Sequence, residues 1–158
     1  MKMNSSAERA LSHLREQGLT LATAESLTGG MLGERITSVS GSSAVYRGGV
    51  ISYCNAVKAG ALGVSQEDLD TLGAVSAPVA EQMAQGARQR LAADYALSTT
   101  GIAGPNSDET GKPVGLVYIA CAGPRGCRVQ ELHLAGDRAA IRQATCHAAL
   151  ELLLACQK

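Results

Sequence analysis

The fold is decided by the stretch Thr23-Ala24-Glu25-Ser26-Leu27-Thr28-Gly29-Gly30-Met31-Leu32-Gly33. It follows a short apolar run over residues 19–22, typical of a buried strand, and leads into a predicted helix over residues 31–38. Main-chain N–H groups at the start of a helix lack partners within it, so they can face an anionic group. Ser26 is therefore a candidate functional residue, in a frame where Glu25 is the only charge. The alternative is an ordinary connection whose Ser and Thr cap the helix.

Length and composition exclude several classes of protein. The 158 residues are 46% hydrophobic and 18% charged, which predicts one globular domain over residues 1–158. A net charge of zero, without Phe or Trp, argues against a nucleic-acid partner. No apolar run approaches about 20 residues and the first residues lack a signal-peptide segment, so we expect a cytoplasmic protein with no membrane partner.

The five cysteines form no C-x-x-C pair, and their irregular spacing predicts reduced, mostly buried thiols and no metal site. They are Cys54, Cys121, Cys127, Cys146 and Cys156.

Helices and strands alternate along the first two thirds of the chain, and a glycine-proline turn at residues 123–126 predicts a late hairpin. We therefore expect an α/β fold: a three-layer α/β/α sandwich with a mixed, partly antiparallel sheet. The predicted strands are 19–24, 45–54 (with a bulge or a close backbone contact), 95–100, 114–122 and 127–134. The predicted helices are 5–17, 31–38, 55–63, a short one from Ser65, 76–90, and a last one capped by Asp137 whose Ile141, Ala144, Ala148, Leu152 and Ala155 face the core.

Lys58 is the only charged residue between Arg47 and Glu67. Desolvation would lower the pKa of a lysine below about 10.4 and leave part of it as a neutral amine, which can activate a serine without histidine. The alternative is a lysine whose stem packs on the rim of the core while its amine reaches water.

A second uncharged turn, Ser98-Thr99-Thr100-Gly101-Ile102-Ala103-Gly104-Pro105, also follows a predicted strand. It could supply a hydroxyl and main-chain donors to a ligand or an oxyanion, or it could simply need glycine for its backbone angles. Arg47, Arg138 and Arg142 are candidate contacts for an anionic ligand, with ordinary surface charges as the alternative. Arg138 and Arg142 are four residues apart and share a helix face.

Six segments together resemble one family. They are Ala24–Gly30, Tyr53–Lys58, Gly73–Ser76, Thr100–Pro105, Lys112–Gly115 and Gly136–Arg138. In this order the chain is similar to the CinA C-terminal domain family, in its stand-alone form, over about residues 6–156. The N-terminal domain of longer CinA proteins is absent from this sequence, and Leu27 stands where relatives often carry a small residue or cysteine.

The resemblance implies hydrolysis of the carboxamide of nicotinamide mononucleotide to nicotinate mononucleotide and ammonia, without a cofactor or metal, in pyridine nucleotide salvage. It implies that Ser26 attacks the amide, that Lys58 takes and returns the proton, and that Tyr53 orients or relays. The implied substrate contacts are Thr28, Gly29, Gly30, Thr100 and Gly101 around the oxyanion, and Arg142 with Arg138 or Arg47 at the phosphate. The resemblance also implies a homo-oligomer, a dimer or a multiple of dimers.

Two alternatives stay open from the sequence. The first is a non-catalytic nucleotide-binding or regulatory module linked to competence or damage response. The second is a hydrolase of another small amide or ester, because a serine–lysine pair does not by itself name its substrate. Joint presence of Ser26, Tyr53 and Lys58 favours an enzyme, since a pure binder has no physical need for them.

Overall fold

A mixed five-stranded sheet lies between two layers of helices in the computed structural model, which describes residues 5–158. The strands are β1 (Leu21–Glu25), β2 (Tyr46–Ile51), β3 (Tyr95–Gly101), β4 (Leu116–Gly123) and β5 (Gly126–His133). Their order across the sheet is β2-β1-β3-β4-β5, with the first three parallel and β4 and β5 antiparallel. The predicted α/β fold with a mixed sheet is therefore confirmed.

The helices begin where the sequence carries start signals. They are α1 (Ser6–Gln17), α2 (Met31–Thr37), α3 (Asn55–Leu62), α4 (Gln66–Thr71), α5 (Ala77–Arg90) and α6 (Arg138–Cys156), with a 3-10 turn at Ser42–Ala44. The side chains of Ser5, Ser65 and Asp137 each accept a main-chain N–H from the first turn of the following helix. None of the helices among residues 5–158 combines the length and the apolar character needed to cross a membrane.

The two layers pack on the sheet in different ways. Helices α1, α2 and α6 cover one face with leucine and isoleucine side chains, and α3, α4 and α5 cover the other. On that second face the sheet presents alanines, which let α5 approach closely. The space between helix and sheet is then small enough to be filled without large aromatic side chains. These alanines are Ala22, Ala24, Ala96, Ala120 and Ala122.

Some element bounds differ from the sequence expectation. Strand β2 ends at Ile51 rather than at residue 54, because its partner β1 ends at Glu25 and offers nothing further to pair with. The expected bulge is present, since Leu21 pairs with Tyr46 but Ala22 pairs with Gly48. In α6, Ala149 and Leu153 are fully buried whereas the predicted Ala144 and Ala148 are only half-buried. That helix is apolar on most sides, so periodicity could not select its inner face.

The carboxyl ends of β1, β2 and β3 meet at one edge of the sheet because the three strands are parallel. Ser26 follows β1, Ser52 follows β2, and Ile102 follows β3. The two hydroxyl- and glycine-rich turns that the sequence singled out therefore lie side by side, next to the start of α3.

Candidate active site

Ser26 and Lys58 are in direct contact although they belong to different elements. The Lys58 amine nitrogen (Nζ) lies 2.9 Å from the Ser26 hydroxyl oxygen (Oγ) and 2.6 Å from the carbonyl oxygen of Ser52, to which it donates. Ser26 sits at the end of β1, and Lys58 is in the first turn of α3. A basic nitrogen within hydrogen-bond reach of a hydroxyl is the arrangement that general-base activation of a nucleophile requires.

Lys58 is buried, with only 2% of its surface exposed, and none of the ion pairs among residues 5–158 includes it. Burial without a carboxylate partner penalises the charged amine and lowers the pKa of Lys58 from 10.5 to about 8. At about pH 7.5 roughly a quarter of such a group is neutral, against about one part in a thousand at the reference pKa. Of the two sequence interpretations, the structure favours the desolvated base over the exposed amine.

The buried carboxylate of Glu25 holds the turn that presents Ser26. One oxygen accepts the main-chain N–H groups of Gly30 (3.2 Å) and Leu32 (2.9 Å), and the other accepts that of Gly33 (3.1 Å). A negative side chain at a helix start satisfies donors that have no partner within the helix. Glu25 is the one charge in the stretch, which marked it in the sequence. Its hydrogen bonds to the start of α2 are known only from the structure.

Further bonds hold the same turn from β3 and α6. The Ser26 N–H donates to the Thr99 carbonyl (3.0 Å), and the Thr28 and Thr99 hydroxyls are 2.8 Å apart. Arg142 donates from Nε to the Leu27 carbonyl (2.9 Å) and from a terminal nitrogen to the Thr28 carbonyl (3.0 Å). These contacts correct two expectations: the Thr28 hydroxyl is fully buried, and Arg142 holds the turn instead of facing the cavity beside it.

The expected oxyanion donors also need correction. The Gly29 N–H donates to the Ser26 carbonyl (3.1 Å) and the Gly30 N–H donates to Glu25, so both are already engaged. In contrast, no partner within residues 5–158 accepts the N–H of Leu27 or Thr28. Leu27 lines the cavity whereas Thr28 is fully buried, so the Leu27 N–H is the candidate for stabilising negative charge on a ligand.

Tyr53 and Arg138 form a second pair at the rim. An Arg138 terminal nitrogen donates to the Tyr53 hydroxyl (2.9 Å), and another donates to the Gly104 carbonyl (2.7 Å). Tyr53 is 61% exposed and its hydroxyl does not contact Ser26 or Lys58, which corrects its expected role in orienting or relaying. Tyr53 is instead a candidate contact for the ligand.

Arg47 lies away from the site. It is in the first residues of β2 and donates to the carbonyl of Leu91, which precedes β3, so it lies at the opposite end of the parallel strands. The expectation that Arg47 contacts an anionic ligand is therefore corrected. Thr100 does reach the site, but its hydroxyl donates to the Ala74 carbonyl (2.8 Å) and positions the neighbouring loop.

An open cavity of about 550 Å³ contains these groups. Of the residues predicted from sequence, those that line it are Ser26, Tyr53, Lys58, Thr100, Gly101 and Arg138. The lining also includes three carboxylates that no motif marked: that of Asp70 in α4 and those of Asp108 and Glu109 in the loop after β3. The cavity therefore offers charges of both signs beside Ser26 and Lys58.

Comparison with known proteins places this chain in one family. The family model described as the CinA C-terminal domain matches residues 3–157. A CinA-like protein of Trichormus variabilis is 56% identical over 143 residues, which cover 89% of this chain and 34% of that protein. A CinA-like protein of Geobacter sulfurreducens is 51% identical over 139 residues, covering 88% of this chain and 34% of that protein. The chain thus spans about a third of the length of these curated relatives.

Solved structures have the same fold over nearly the whole chain. A competence/damage inducible protein CihA from Agrobacterium tumefaciens superposes with a TM-score of 0.90 at 39% identity and covers 100% of both chains. A competence-damaged protein (CinA) superfamily protein from Escherichia coli superposes with a TM-score of 0.92 at 31% identity, covering 98% of this chain and 93% of the other.

Proposed function

Because this chain belongs to the CinA C-terminal domain family, we propose that it hydrolyses the carboxamide of nicotinamide mononucleotide to nicotinate mononucleotide and ammonia. The observation that carries the proposal is the 2.9 Å contact between the Lys58 amine and the Ser26 hydroxyl inside a cavity. A binding module gains nothing from a buried, uncompensated lysine, whereas a base needs one.

In the proposed reaction the Ser26 oxygen attacks the carboxamide carbon while its proton moves to the neutral Lys58 amine. The Ser52 carbonyl accepts a hydrogen bond from the same amine, which directs the nitrogen lone pair toward Ser26. Lys58, now charged, returns the proton to the amide nitrogen, the carbon–nitrogen bond breaks, and ammonia leaves. Positioned proton transfer of this kind contributes typically about 10²–10⁴-fold to a rate.

The carbonyl oxygen becomes an anion when Ser26 attacks. The free N–H group of Leu27, which lines the cavity, would stabilise it. Water then attacks the Ser26 ester with Lys58 again as the base, which releases the carboxylate product and regenerates the hydroxyl. Glu25 and Arg142 are positioning residues in this scheme, because they hold the turn and do not line the cavity.

The cavity also matches the charges of the substrate. Nicotinamide mononucleotide carries an anionic phosphate and a cationic pyridinium ring. Arg138, which none of the described carboxylates neutralises, is at the rim and suits the phosphate. Three carboxylates, those of Asp70, Asp108 and Glu109, line the same cavity and suit a cationic ring. The proposal also includes a cytoplasmic homo-oligomer built on dimers, as the family resemblance implies.

The deciding experiment measures ammonia released from nicotinamide mononucleotide by the purified chain and three variants. We expect Ser26→Ala and Lys58→Met each to lower kcat by at least about 10³-fold, because each removes a group that acts on the reacting atoms. Ser107→Ala is the matched control: Ser107 lines the same cavity and is exposed, so activity should stay within about twofold.

Binding measurements separate this proposal from its alternatives. A regulatory module would bind the nucleotide without releasing ammonia in any form of the protein. A hydrolase of another amide would not release ammonia from this nucleotide. It would hydrolyse its own substrate, and Ser26→Ala would abolish that hydrolysis. Arg138→Gln tests the phosphate contact: KM should rise at least about tenfold for the nucleotide and little for nicotinamide riboside, which lacks the phosphate. Equal losses for both substrates would contradict that contact.

A further inference from the structure

Three of the five cysteines gather around a second cavity, far from Ser26. This cavity of about 320 Å³ lies at the end of the sheet where β3 begins and β4 passes into β5. Its thiols are those of Cys121 in β4, Cys127 in β5 and Cys156 at the end of α6. Its cationic residues are Arg125, Arg128 and Lys158. Nothing in the proposed amide hydrolysis uses these groups.

The environment of Cys156 favours its thiolate. The Cys121 thiol donates a hydrogen bond to the Cys156 sulfur, and the Arg128 guanidinium lies beside the same sulfur, which together lower the pKa of Cys156 to about 7. Cys156 is half-buried and lines the cavity, so a small reagent can reach it.

The other two thiols have the opposite character. Cys121 is 2% exposed, and its pKa is raised because its proton is held in the hydrogen bond to Cys156 and because it is buried. Burial, with the Glu81 carboxylate nearby, raises the pKa of Cys127 to about 11. The cavity is thus lined by one thiol whose thiolate is favoured, that of Cys156, and by two thiols whose protonated form is favoured, those of Cys121 and Cys127. None of the His, Cys, Asp and Glu groupings among residues 5–158 is arranged to hold a metal ion, so coordination does not explain it.

We propose that Cys156 and Cys121 form a thiol–disulfide exchange site for small anionic disulfides, with Cys156 attacking and Cys121 resolving. The Cys156 thiolate attacks one sulfur of the reagent and releases one thiolate, leaving a mixed disulfide on Cys156. Cys121 then loses its proton to that thiolate and attacks the Cys156 sulfur, which releases the second thiol. Two protein thiols are oxidised to one disulfide, and one external disulfide is reduced to two thiols.

Charge and contact explain the choice of partner and of resolving thiol. Arg128 and the neighbouring cations would attract a reagent that carries carboxylates. A thiol whose pKa is near ambient pH is the best attacking group in disulfide exchange. Cys121 and Cys156 line the same cavity and pack in the same apolar cluster, so the second attack is intramolecular and needs no encounter. The resulting bond would tie the end of α6 to β4.

The test uses the reduced full chain and oxidised glutathione at about pH 7.5, followed by peptide mapping under non-reducing conditions. We expect a disulfide between Cys121 and Cys156 and two released glutathione molecules per chain. Cys121→Ala should stop at a stable mixed disulfide on Cys156, and Cys127→Ser, the matched control, should behave as the parent. Cys156 should react at least about tenfold faster than Cys127.

The preference for anionic disulfides is tested by comparing an anionic with a neutral reagent, without a cysteine variant. Arg128→Gln should slow the reaction of Cys156 with oxidised glutathione more than it slows the reaction with the neutral 2-hydroxyethyl disulfide. The two fold-reductions in rate should differ by more than about threefold. Equal slowing would overturn the preference for anions. A mixed disulfide that persists in the parent chain, a bond from Cys156 to Cys127, or an unmodified Cys156 beside a modified Cys54 would overturn the exchange site.

Discussion

The burial of a single amine sets the chemistry at the residue scale. Lys58 lies among uncharged groups, with the Ser26 hydroxyl and the Ser52 carbonyl as its hydrogen-bond partners. Lowering its pKa from 10.5 to about 8 corresponds to roughly 3 kcal/mol in favour of the neutral form. The same burial that favours the neutral amine therefore destabilises the folded protein whenever the amine is protonated.

This trade predicts two pH dependences. Activity should rise with pH through about 8 as Lys58 loses its proton, and it should fall steadily toward about pH 5. Between about pH 8 and about pH 10.5 the unfolded chain holds a proton on Lys58 that the folded chain has lost, so unfolding free energy gains about 1.4 kcal/mol per pH unit from this group. Below about pH 8 both states are protonated and the penalty is fully present.

The measurement is urea unfolding of the parent chain and Lys58→Met at several pH values. Groups that titrate in both proteins cancel in the difference between them. The stability advantage of the variant should be largest at neutral pH and shrink above about pH 8. Parallel stability curves would show that Lys58 keeps an ordinary pKa in the folded protein.

At the scale of elements, the position of α3 depends on its close contact with α5. A Cβ atom added at Gly86 in α5 would overlap the carbonyl of Leu62, the last residue of α3. Helix α3 carries Lys58, so this close approach helps to set the distance from the amine to Ser26. Glycine at position 86 thus serves packing between helices, where any side chain would push backbones apart.

We expect Gly86→Ala to lower the unfolding free energy by about 1–3 kcal/mol through overpacking and to reduce kcat by displacing α3. Gly60→Ala is the matched control, since Gly60 is an exposed glycine inside α3 with open space around its Cβ position. That variant should gain up to about 1 kcal/mol in unfolding free energy from helix propensity. Equal effects in the two variants would contradict the packing argument.

At the scale of the whole molecule, apolar packing on both sheet faces holds the fold together, and ion pairs contribute little. The ion pairs found among residues 5–158 are Arg9–Glu151, Glu131–His133 and Glu151–His147, all with exposed side chains. Exposed pairs contribute about 0–1 kcal/mol each and are screened by salt. The two buried charged side chains among these residues are in none of the ion pairs: Glu25 accepts main-chain N–H groups, and burial lowers the pKa of Lys58 to about 8.

We therefore expect thermal stability to be nearly independent of salt. Raising sodium chloride from about 0.05 M to about 0.5 M should change the midpoint of thermal unfolding, measured by circular dichroism at neutral pH, by less than about 4 °C. A fall of more than about 8 °C would mean that charge interactions carry a substantial part of the stability. Sodium sulfate is not a suitable substitute, since it strengthens apolar burial.

Local signals in the sequence were enough to predict most elements. Capping residues such as Ser65 and Asp137, and the turn at residues 123–126, act within a few residues of the chain, so their effects can be recognised without the fold. The isolation of Lys58 in an uncharged stretch made it a candidate base, with an amine that reaches water as the alternative, and only burial in the fold separated the two. The inner face of α6 was misplaced because an apolar helix offers no local contrast between its sides.

By itself, then, the sequence determined the α/β class and the order of its elements. It also identified the two hydroxyl- and glycine-rich turns and the candidate residues Ser26 and Lys58. Only the tertiary structure decided which polar groups meet. It placed Arg47 at the far end of the sheet, engaged Arg142 with the turn carbonyls and paired Tyr53 with Arg138. The physical reason is range: helix starts and turns depend on neighbouring residues, whereas the partner of a side chain depends on how strands and helices distant in sequence pack together.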